Sequence, residues 1–283
     1  MLSCSKHSGS TLAFRIVPEG HTIHRLAADL RKDFVGQVVS VDSPQGRFTD
    51  GASLINGEEM IKSEAWGKHL FCYWSSGNIL HVHLGLIGKF RRASLETLPP
   101  ETVRLRLTNK TKAWHLTGPQ TCAIIFEQEM KEVVSKLGPD PLRIGVRGSS
   151  RFIRGLASRT KPIGAALLDQ SLLAGIGNVY RSELLFLCGI HPETPCNRIS
   201  EKQGEDLWNL IVTLLRKGKK QNRIVTLGDV DSHDIPATGN KKEDSLYAYK
   251  RSGLDCRRCV NEIEVSSIGG RSIWYCPNCQ EKQ

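Results

Sequence analysis

Apolar positions near the start of the chain recur with the period of a helix. Four of them fall at i, i+3, i+4 and i+7: Ile23, Leu26, Ala27 and Leu30. This spacing puts one apolar stripe on a helix, which we predict from about Gly20 to Phe34, with Gly36 ending it.

The pattern then changes to that of strands, from Val38 to about Phe126. Two apolar runs, 69–74 and 79–84, flank the turn residues 75–78, and alternate positions further on are apolar: Val103, Leu105 and Leu107. Alternation with a period of two indicates half-buried strands, and short turns indicate antiparallel neighbours. The first half of the chain is therefore predicted to be an antiparallel, mostly β domain.

A change of composition separates this region from a helical one. Residues 137–158 are rich in Gly, Pro, Arg and Ser, which is typical of an interdomain connection. Pro162 can start a helix, the stretch 174–177 interrupts it, and a second helix is predicted over Asn178–Leu187. Together they form a helix-turn-helix layout.

A third helix is predicted after Ser200, which forms a capping box with Gln203. Residues 217–250 are polar with few apolar anchors, so we expect a loose, partly disordered segment there. The whole chain is thus predicted to be α+β.

The net charge of the chain indicates which class of partner it binds. The 283 residues include 39 Lys and Arg against 29 Asp and Glu, which gives a formal net charge of +10. Residues 141–283 hold 22 of the basic and 15 of the acidic residues, so +7 of this charge lies there. A polyanion is the favoured partner, although the charge alone is also compatible with a role in solubility. No apolar stretch approaches the roughly 18 residues that cross a bilayer, so we expect a cytosolic protein without membrane association.

Four of the nine cysteines are paired in sequence: Cys256, Cys259, Cys276 and Cys279. Two C-x2-C pairs can present four thiolates to one tetrahedral ion, and zinc is the expected metal. With all four positions filled by protein, one Zn2+ would be structural. A redox or iron site is the competing interpretation.

Three motifs occur in an order that resembles one protein family. They are the run Pro18–Thr22 at the start of a helix, the run Gly175–Arg181 in the helical region, and the C-terminal cysteine hairpin. Together they resemble the formamidopyrimidine-DNA glycosylase and endonuclease VIII family, from Pro18 to the end of the chain. The resemblance implies an N-terminal antiparallel β-sandwich with flanking helices, a helical helix-two-turn-helix domain and a C-terminal zinc-ribbon hairpin.

The resemblance implies a catalytic role for Pro18 and Glu19. Pro18 would be the Schiff-base nucleophile, because a free secondary amine can attack the sugar C1′, and Glu19 would be the proton donor. Residues 1–17 precede Pro18, however, and an internal proline nitrogen is an amide that cannot attack. The codon of Val17 can be a GUG start codon, so we expect the functional chain to begin at Pro18 after loss of an initiator Met at position 17.

Further residues carry family roles by resemblance. Lys68 would contact a phosphate and assist β-elimination, and Arg271, beside Gly269 and Gly270, would do so for δ-elimination. Leu86 would enter the vacated base stack, and Asn178, with the backbone N–H groups of residues 175–177, would grip a phosphate. The alternatives are a surface charge for Lys68, a core position for Leu86, a solvated side chain for Arg271 and a helix cap for Asn178.

The expected domains are an N-terminal extension (1–17), a catalytic β-sandwich (18–136), a linker (137–160), a helix-two-turn-helix domain with a flexible tail (161–250) and a zinc finger (251–283). Residues 118–122 lack the Arg and Phe that guanine-directed family members carry, which favours an endonuclease VIII-like enzyme acting on oxidised pyrimidines and abasic sites. His21, His24 and His115 have no implied role and are expected on a helix surface or in the core.

The resulting hypothesis is a monomeric, bifunctional DNA glycosylase and AP lyase that acts on damaged double-stranded DNA in the bacterial cytosol. A catalytically silent lesion-binding protein is one alternative. A zinc-ribbon transcription or ribosome-associated factor is another, but it leaves Pro18 and Glu19 without a purpose.

Overall fold

The computed structural model describes residues 17–227 and 245–282. The helices are α1 (Gly20–Phe34), α2 (Thr49–Ser53), α3 (Glu127–Ser135), α4 (Pro141–Ile144), α5 (Ser149–Ala157), α6 (Ile163–Ala166), α7 (Asn178–Leu187) and α8 (Glu201–Gln221). The strands are β1 (Gln37–Asp42), β2 (Glu58–Trp66), β3 (His69–Trp74), β4 (Ile79–His83), β5 (Lys89–Ala93), β6 (Val103–Thr108), β7 (Ala113–Thr117), β8 (Thr121–Ile125), β9 (Glu264–Ile268) and β10 (Arg271–Tyr275).

The first eight strands form an antiparallel arrangement in the order β5-β7-β6-β1-β2-β3-β4-β8. Strand β1 belongs to both sections of it, because residues 37–39 pair with β2 and residues 40–42 pair with β6. Apolar side chains of the two sections meet those of α1 in one core cluster, to which Leu30, Leu70 and Leu107 contribute. The predicted sandwich with a flanking helix is confirmed.

Several predicted elements match the structure closely. Helix α1 spans Gly20–Phe34 and β3 spans His69–Trp74, as the apolar patterns indicated. Helix α7 spans Asn178–Leu187. The capping box at the start of α8 is also present, with Gln203 N–H donating to Ser200 Oγ at 3.2 Å.

The segment predicted as an interdomain connection is instead largely helical. It contains α4 and α5, and the Asp140 side chain caps α4 by accepting from the backbone N–H of Leu142. Helix α5 buries Phe152 and Leu156 in the core of the helical region, where Phe152 contacts Trp208 of α8. Burial of this short apolar face against α8 outweighs the Gly- and Ser-rich composition that suggested a linker.

The segment 217–250 also departs from the prediction at both ends. Helix α8 continues to Gln221 and ends where Asn222 takes a left-handed conformation, with φ of 54°. After the gap, Tyr247 and Ala248 are fully buried, and Tyr247 stacks on Phe186 of α7. The rest of the segment that was expected to be loose, residues 228–244, lies outside the described residues. None of the described helices is long and apolar enough to cross a membrane.

Candidate active site at the junction of the two halves

The carboxylate of Glu19 is fully buried where α1 meets the helical region. It accepts hydrogen bonds from the backbone N–H groups of Gly177 (2.6 Å) and Val179 (2.8 Å) at the start of α7. Burial raises the pKa of Glu19, against the opposing effects of the Lys68 ammonium and of these backbone donors. A carboxyl group with a raised pKa at a helix N-terminus can hold a proton and release it to a reacting group.

Backbone contact between two glycines holds Glu19 at this position. The N–H of Gly20 donates to the carbonyl of Gly175 at 2.7 Å, and a Cβ at residue 20 would lie 2.8 Å from the Gly175 Cα. A Cβ at Gly177 would lie 2.5 Å from the Glu19 carboxyl carbon. Glycine is therefore needed at positions 20 and 177 because neighbouring atoms leave no room for a side chain, and not only because the chain turns there.

Lys68 lies at the tip of the β2–β3 hairpin, where Gly67 takes a φ of +55°. Its ammonium group donates to the carbonyl of Ile176 at 2.6 Å. Burial lowers the pKa of Lys68, Glu19 raises it, and Arg271 lowers it again. Lys68 thus extends into the junction, which excludes the alternative of an ordinary surface charge.

Pro18 is half-buried and lines a cavity of about 360 Å³ between α1 and the sheet. The charged residues around this cavity are Arg25, Asp29, Lys89, Arg91 and Arg92. Pro18 directly precedes Glu19 in the chain, and it is therefore joined to the start of α1 at the junction where the Glu19 carboxylate is buried. The predicted extension 1–17 lies, apart from Val17, outside the described residues.

The β9–β10 hairpin packs against α7 and brings Arg271 close enough to Lys68 to lower the pKa of that lysine. Gly269 and Gly270 form its turn with φ values of +64° and +72°, and Arg271 is exposed directly after it, as predicted. The buried guanidinium of Arg181 anchors the turn by donating to the carbonyls of Ile268 (3.0 Å) and Ser272 (2.8 Å). This role of Arg181 could not be predicted from the sequence, since nothing in a helical pattern distinguishes a buried arginine from an exposed one.

Asn178 is placed differently from either expectation. Gly177 is the N-cap of α7 and Asn178 is its first residue, so the helix-cap alternative is wrong. The Asn178 side chain donates to the Ser272 carbonyl at 3.0 Å and accepts from Arg181. The backbone N–H of Gly175 donates to the Gln170 side chain and that of Gly177 to Glu19, so neither is free for a phosphate, contrary to the prediction.

Leu86 lies in the turn between β4 and β5 and is 56% exposed, which excludes the core alternative. The next residue, Ile87, is 61% exposed. This turn packs beside the loop that lacks the family's Arg and Phe, because a Cβ at Gly85 would meet the Gln120 side chain at 2.9 Å. Leu86, Ile87 and Gln120 are therefore exposed side chains on two neighbouring turns of the sheet.

Four cysteine sulfurs form the metal-type cluster of the described residues: Cys256, Cys259, Cys276 and Cys279. All four lie within 4.8 Å of one another. The Cys256–Cys279 distance is 3.8 Å and the Cys259–Cys276 distance is 3.4 Å. Tetrahedral Zn–S bonds of about 2.3 Å imply S–S distances of about 3.8 Å, so the four thiolates fit a zinc ion.

The three histidines without an implied role lie in different environments. His21 is buried, edge-on to the ring of Tyr180. His24 is also buried, and its Nε2 lies 2.8 Å from Asp140 Oδ2, a partner that the sequence analysis missed. His115 is half-exposed on β7.

Comparison with known proteins matches both halves of the chain. Residues 17–124 match the formamidopyrimidine-DNA glycosylase N-terminal domain, and residues 137–227 match the formamidopyrimidine-DNA glycosylase H2TH domain. The protein Endonuclease 8 1 of Mycobacterium bovis and Mycobacterium tuberculosis is 41% identical over 269 residues, which cover 93% of this chain and 100% of the relative. The formamidopyrimidine-DNA glycosylase of Lactococcus lactis is 31% identical over 291 residues, covering 94% and 99%.

A solved structure of the Lactococcus lactis enzyme, bound non-covalently to DNA containing an AP site, superposes with a TM-score of 0.78. It is 27% identical and covers 93% of this chain and 100% of that one. These matches extend over both halves of the chain. The chain therefore belongs to the formamidopyrimidine-DNA glycosylase and endonuclease VIII family of DNA-repair glycosylases.

Proposed function

We propose that the chain is a bifunctional DNA glycosylase and AP lyase that removes oxidised bases, pyrimidines in preference, from damaged double-stranded DNA. The observation that carries the proposal is the buried Glu19 carboxylate, with Pro18 beside it and the Lys68 ammonium facing it. A proton donor, an amine position and a cation at one junction are the groups that such a reaction needs.

The first step is displacement of the base. The Pro18 nitrogen forms a bond to the sugar C1′ as the bond from C1′ to the base breaks, and the departing base, which takes the electron pair of that bond, receives the proton of the amine. Glu19 donates its proton to the sugar ring oxygen, and the ring opens to leave an iminium on Pro18. The raised pKa of Glu19 supports this role because the protonated form persists to a higher pH than in an exposed glutamate.

Strand cleavage follows from the same intermediate. The iminium draws electrons from C1′, so the Glu19 carboxylate, which has given up its own proton, can accept the proton of C2′, and the bond from C3′ to the phosphate oxygen breaks as the phosphate leaves with the electron pair. Lys68 and Arg271 supply positive charge for the departing phosphates, Lys68 at the 3′ side and Arg271 at the 5′ side. Asn178, whose amide has a second N–H besides the one that Ser272 accepts, is proposed to contact a neighbouring phosphate.

Release of the base from the duplex requires that the stack be held open. Leu86 is proposed to enter the vacated position, which its exposure at the β4–β5 turn permits. The preference for pyrimidines rests on Gly118–Thr121, which replaces the Arg and Phe of guanine-directed members.

Zinc is proposed to be structural. Bound to Cys256, Cys259, Cys276 and Cys279, it would stiffen the β9–β10 hairpin and thereby fix Arg271 beside α7. The four cysteines leave no ligand position for water, so the ion takes no part in the chemical steps.

The mechanism requires a free amine at Pro18. We propose that the working chain begins there, and the match of the N-terminal family domain from Val17 onward supports this. A start at position 17 followed by loss of the initiator Met, or proteolytic removal of residues 1–17, leaves Pro18 as a free secondary amine with a pKa of about 8.

Borohydride trapping on a duplex with one abasic site tests the proposal. The chain that begins at Pro18 should form a covalent adduct, whereas a chain that retains residues 1–17 should not. Pro18→Gly and Glu19→Gln should each slow strand cleavage by about 100-fold or more. If a chain with an exposed Pro18 forms no adduct, the protein is a catalytically silent, zinc-containing lesion-binding protein instead. Duplexes with single defined lesions then measure the pyrimidine preference.

A further inference from the structure

The segment from α4 to α6 carries an unusual excess of positive charge. Residues 141–168 contain no Asp or Glu and six basic residues: Arg143, Arg147, Arg151, Arg154, Arg159 and Lys161. Two of them are accounted for by the fold, because Arg143 pairs with Glu64 and Lys161 pairs with Asp169. The remaining charge is concentrated on α5 and at its C-terminal end.

A groove of about 300 Å³ lies at this end of α5. We name it the arginine groove, after its polar lining residues Arg151, Arg154, Ser158, Arg159 and Ser171. Three guanidinium groups thus surround one opening and can donate hydrogen bonds, whereas the Ser158 and Ser171 hydroxyl groups already donate to the Gly155 carbonyl and to Asp169.

The arginines of the groove are held in place but keep donors available. Arg159 donates to the Gly155 carbonyl at 2.6 Å, and Arg151 donates to the Leu137 carbonyl at 3.4 Å. Arg154 is exposed and forms no ion pair with another residue of the described ranges. A guanidinium has five N–H donors, so each arginine retains several for a ligand.

The nearest carboxylate does not neutralise the groove. Asp169 accepts from Lys161 at 2.9 Å and from the Ser171 hydroxyl and backbone N–H at 2.6 and 3.0 Å. Its contact with Arg159 is longer, at 4.0 Å. The arginine groove is therefore a cationic site that matches a phosphate in charge.

One short loop connects the arginine groove with the active site. Ser171 lines the groove, and the preceding side chain, Gln170, donates to the Ile176 carbonyl at 3.0 Å. The same carbonyl accepts the Lys68 ammonium at 2.6 Å. Residues 170–176 therefore connect the lining of the groove to the carbonyl that holds the Lys68 ammonium.

We propose that the arginine groove is a second phosphate-binding site, which holds the DNA backbone outside the damaged nucleotide. The proposal rests on the proposed function in so far as DNA is the ligand. It gives the enzyme contacts that are independent of the lesion, which favours binding to undamaged duplex during a search.

Salt-dependent binding to an undamaged duplex tests this directly with the full chain. Arg151→Gln/Arg154→Gln should lower the slope of log Kd against log salt concentration by about 1.8, since each lost phosphate contact removes about 0.9. The matched control is Lys32→Gln/Arg47→Gln, which removes the same charge from exposed positions far along the chain from α5 and should leave the slope close to that of the wild type. Arg151→Lys/Arg154→Lys keeps the charge and should restore most of the slope.

Equal slopes for the two Gln double variants would overturn the proposal. A second result would also overturn it: the wild type binds inorganic phosphate in the groove, but the Arg151→Gln/Arg154→Gln variant binds duplex as tightly as the wild type. The ligand of the groove would then be a free anion and not DNA. Since the duplex is undamaged, the result does not depend on catalysis. Borohydride trapping on a short abasic duplex at saturating enzyme should be unchanged in the Gln variant, and loss of trapping in the wild type would contradict the proposed lyase without affecting the comparison of slopes.

Discussion

Asp140 and Gly67 are joined across the junction of the two halves of the chain, where the Asp140 carboxylate accepts the Gly67 N–H at 2.7 Å. The same oxygen lies 2.8 Å from His24 Nε2 of α1. The residue after Gly67 is Lys68, so one buried carboxylate sets the relative positions of α1, the Lys68 hairpin and the start of the helical region.

Asp140→Asn should therefore weaken both folding and catalysis. An amide oxygen can replace the carboxylate oxygen that faces Gly67 and His24, but the amide NH2 then faces the Leu142 N–H, which loses its acceptor. An unsatisfied buried donor costs about 1–3 kcal/mol, which urea unfolding would measure. Asp50→Asn, at an exposed position, is the control and should change the unfolding free energy by less than about 0.5 kcal/mol. Similar losses in both variants would contradict the role of Asp140.

Leu86→Ala should impair excision without affecting stability. Leu86 is more than half exposed, so truncation removes little buried area, but it removes the side chain proposed to fill the base stack. We expect the single-turnover excision rate on duplex to fall by about tenfold, which corresponds to about 1.4 kcal/mol of lost support for flipping. Ile61→Ala, at a position 52% exposed on β2, is the matched control. An unchanged rate for Leu86→Ala would exclude the wedge.

Cys256→Ser should lower both zinc content and DNA binding. Removal of one of four thiolates breaks the tetrahedral set, and the hairpin that carries Arg271 loses its support. Metal analysis should show about one zinc per wild-type chain and well below that in the variant. Cys188→Ser, which lies outside the cluster, should keep its zinc. Iron in the purified wild type would favour the competing metal assignment.

His21 should make folding sensitive to acid. Burial lowers the pKa of His21 to about 4 from an ordinary value of 6.5. Between these values the unfolded chain binds a proton that the folded chain does not, so stability falls as the pH decreases from 6.5 towards 4, by up to about 3 kcal/mol. His21→Gln removes the titrating group and should flatten this part of the unfolding profile. An equally steep profile in the variant would assign the acid sensitivity to other groups.

The sequence was informative where a local pattern carried the structural cause. The apolar stripe of α1, the alternating residues of β6 and the Ser200–Gln203 capping box each determine an element without help from distant residues. The glycine turn at residues 269–270 likewise predicted the exposed position of Arg271.

Such local patterns could not predict contacts between residues far apart in the chain. The helix α5 depends on burial against Trp208, more than fifty positions later in the chain, and its own composition resembles a linker. The buried positions of Arg181 and His24 depend on carbonyl and carboxylate partners from other segments. Sequence alone therefore named the chemical groups of the candidate site but not the residues that hold them in position.

The contact between Gly20 and Gly175 limits how this enzyme can diverge. At that point the two halves of the protein touch through main-chain atoms alone, so no side chain exists whose exchange could widen or narrow the gap by a small amount. A side chain at Gly20 would have to push the two main chains apart, and that shift would move Glu19 away from the start of α7, whereas residues of the exposed loops can change without such a displacement.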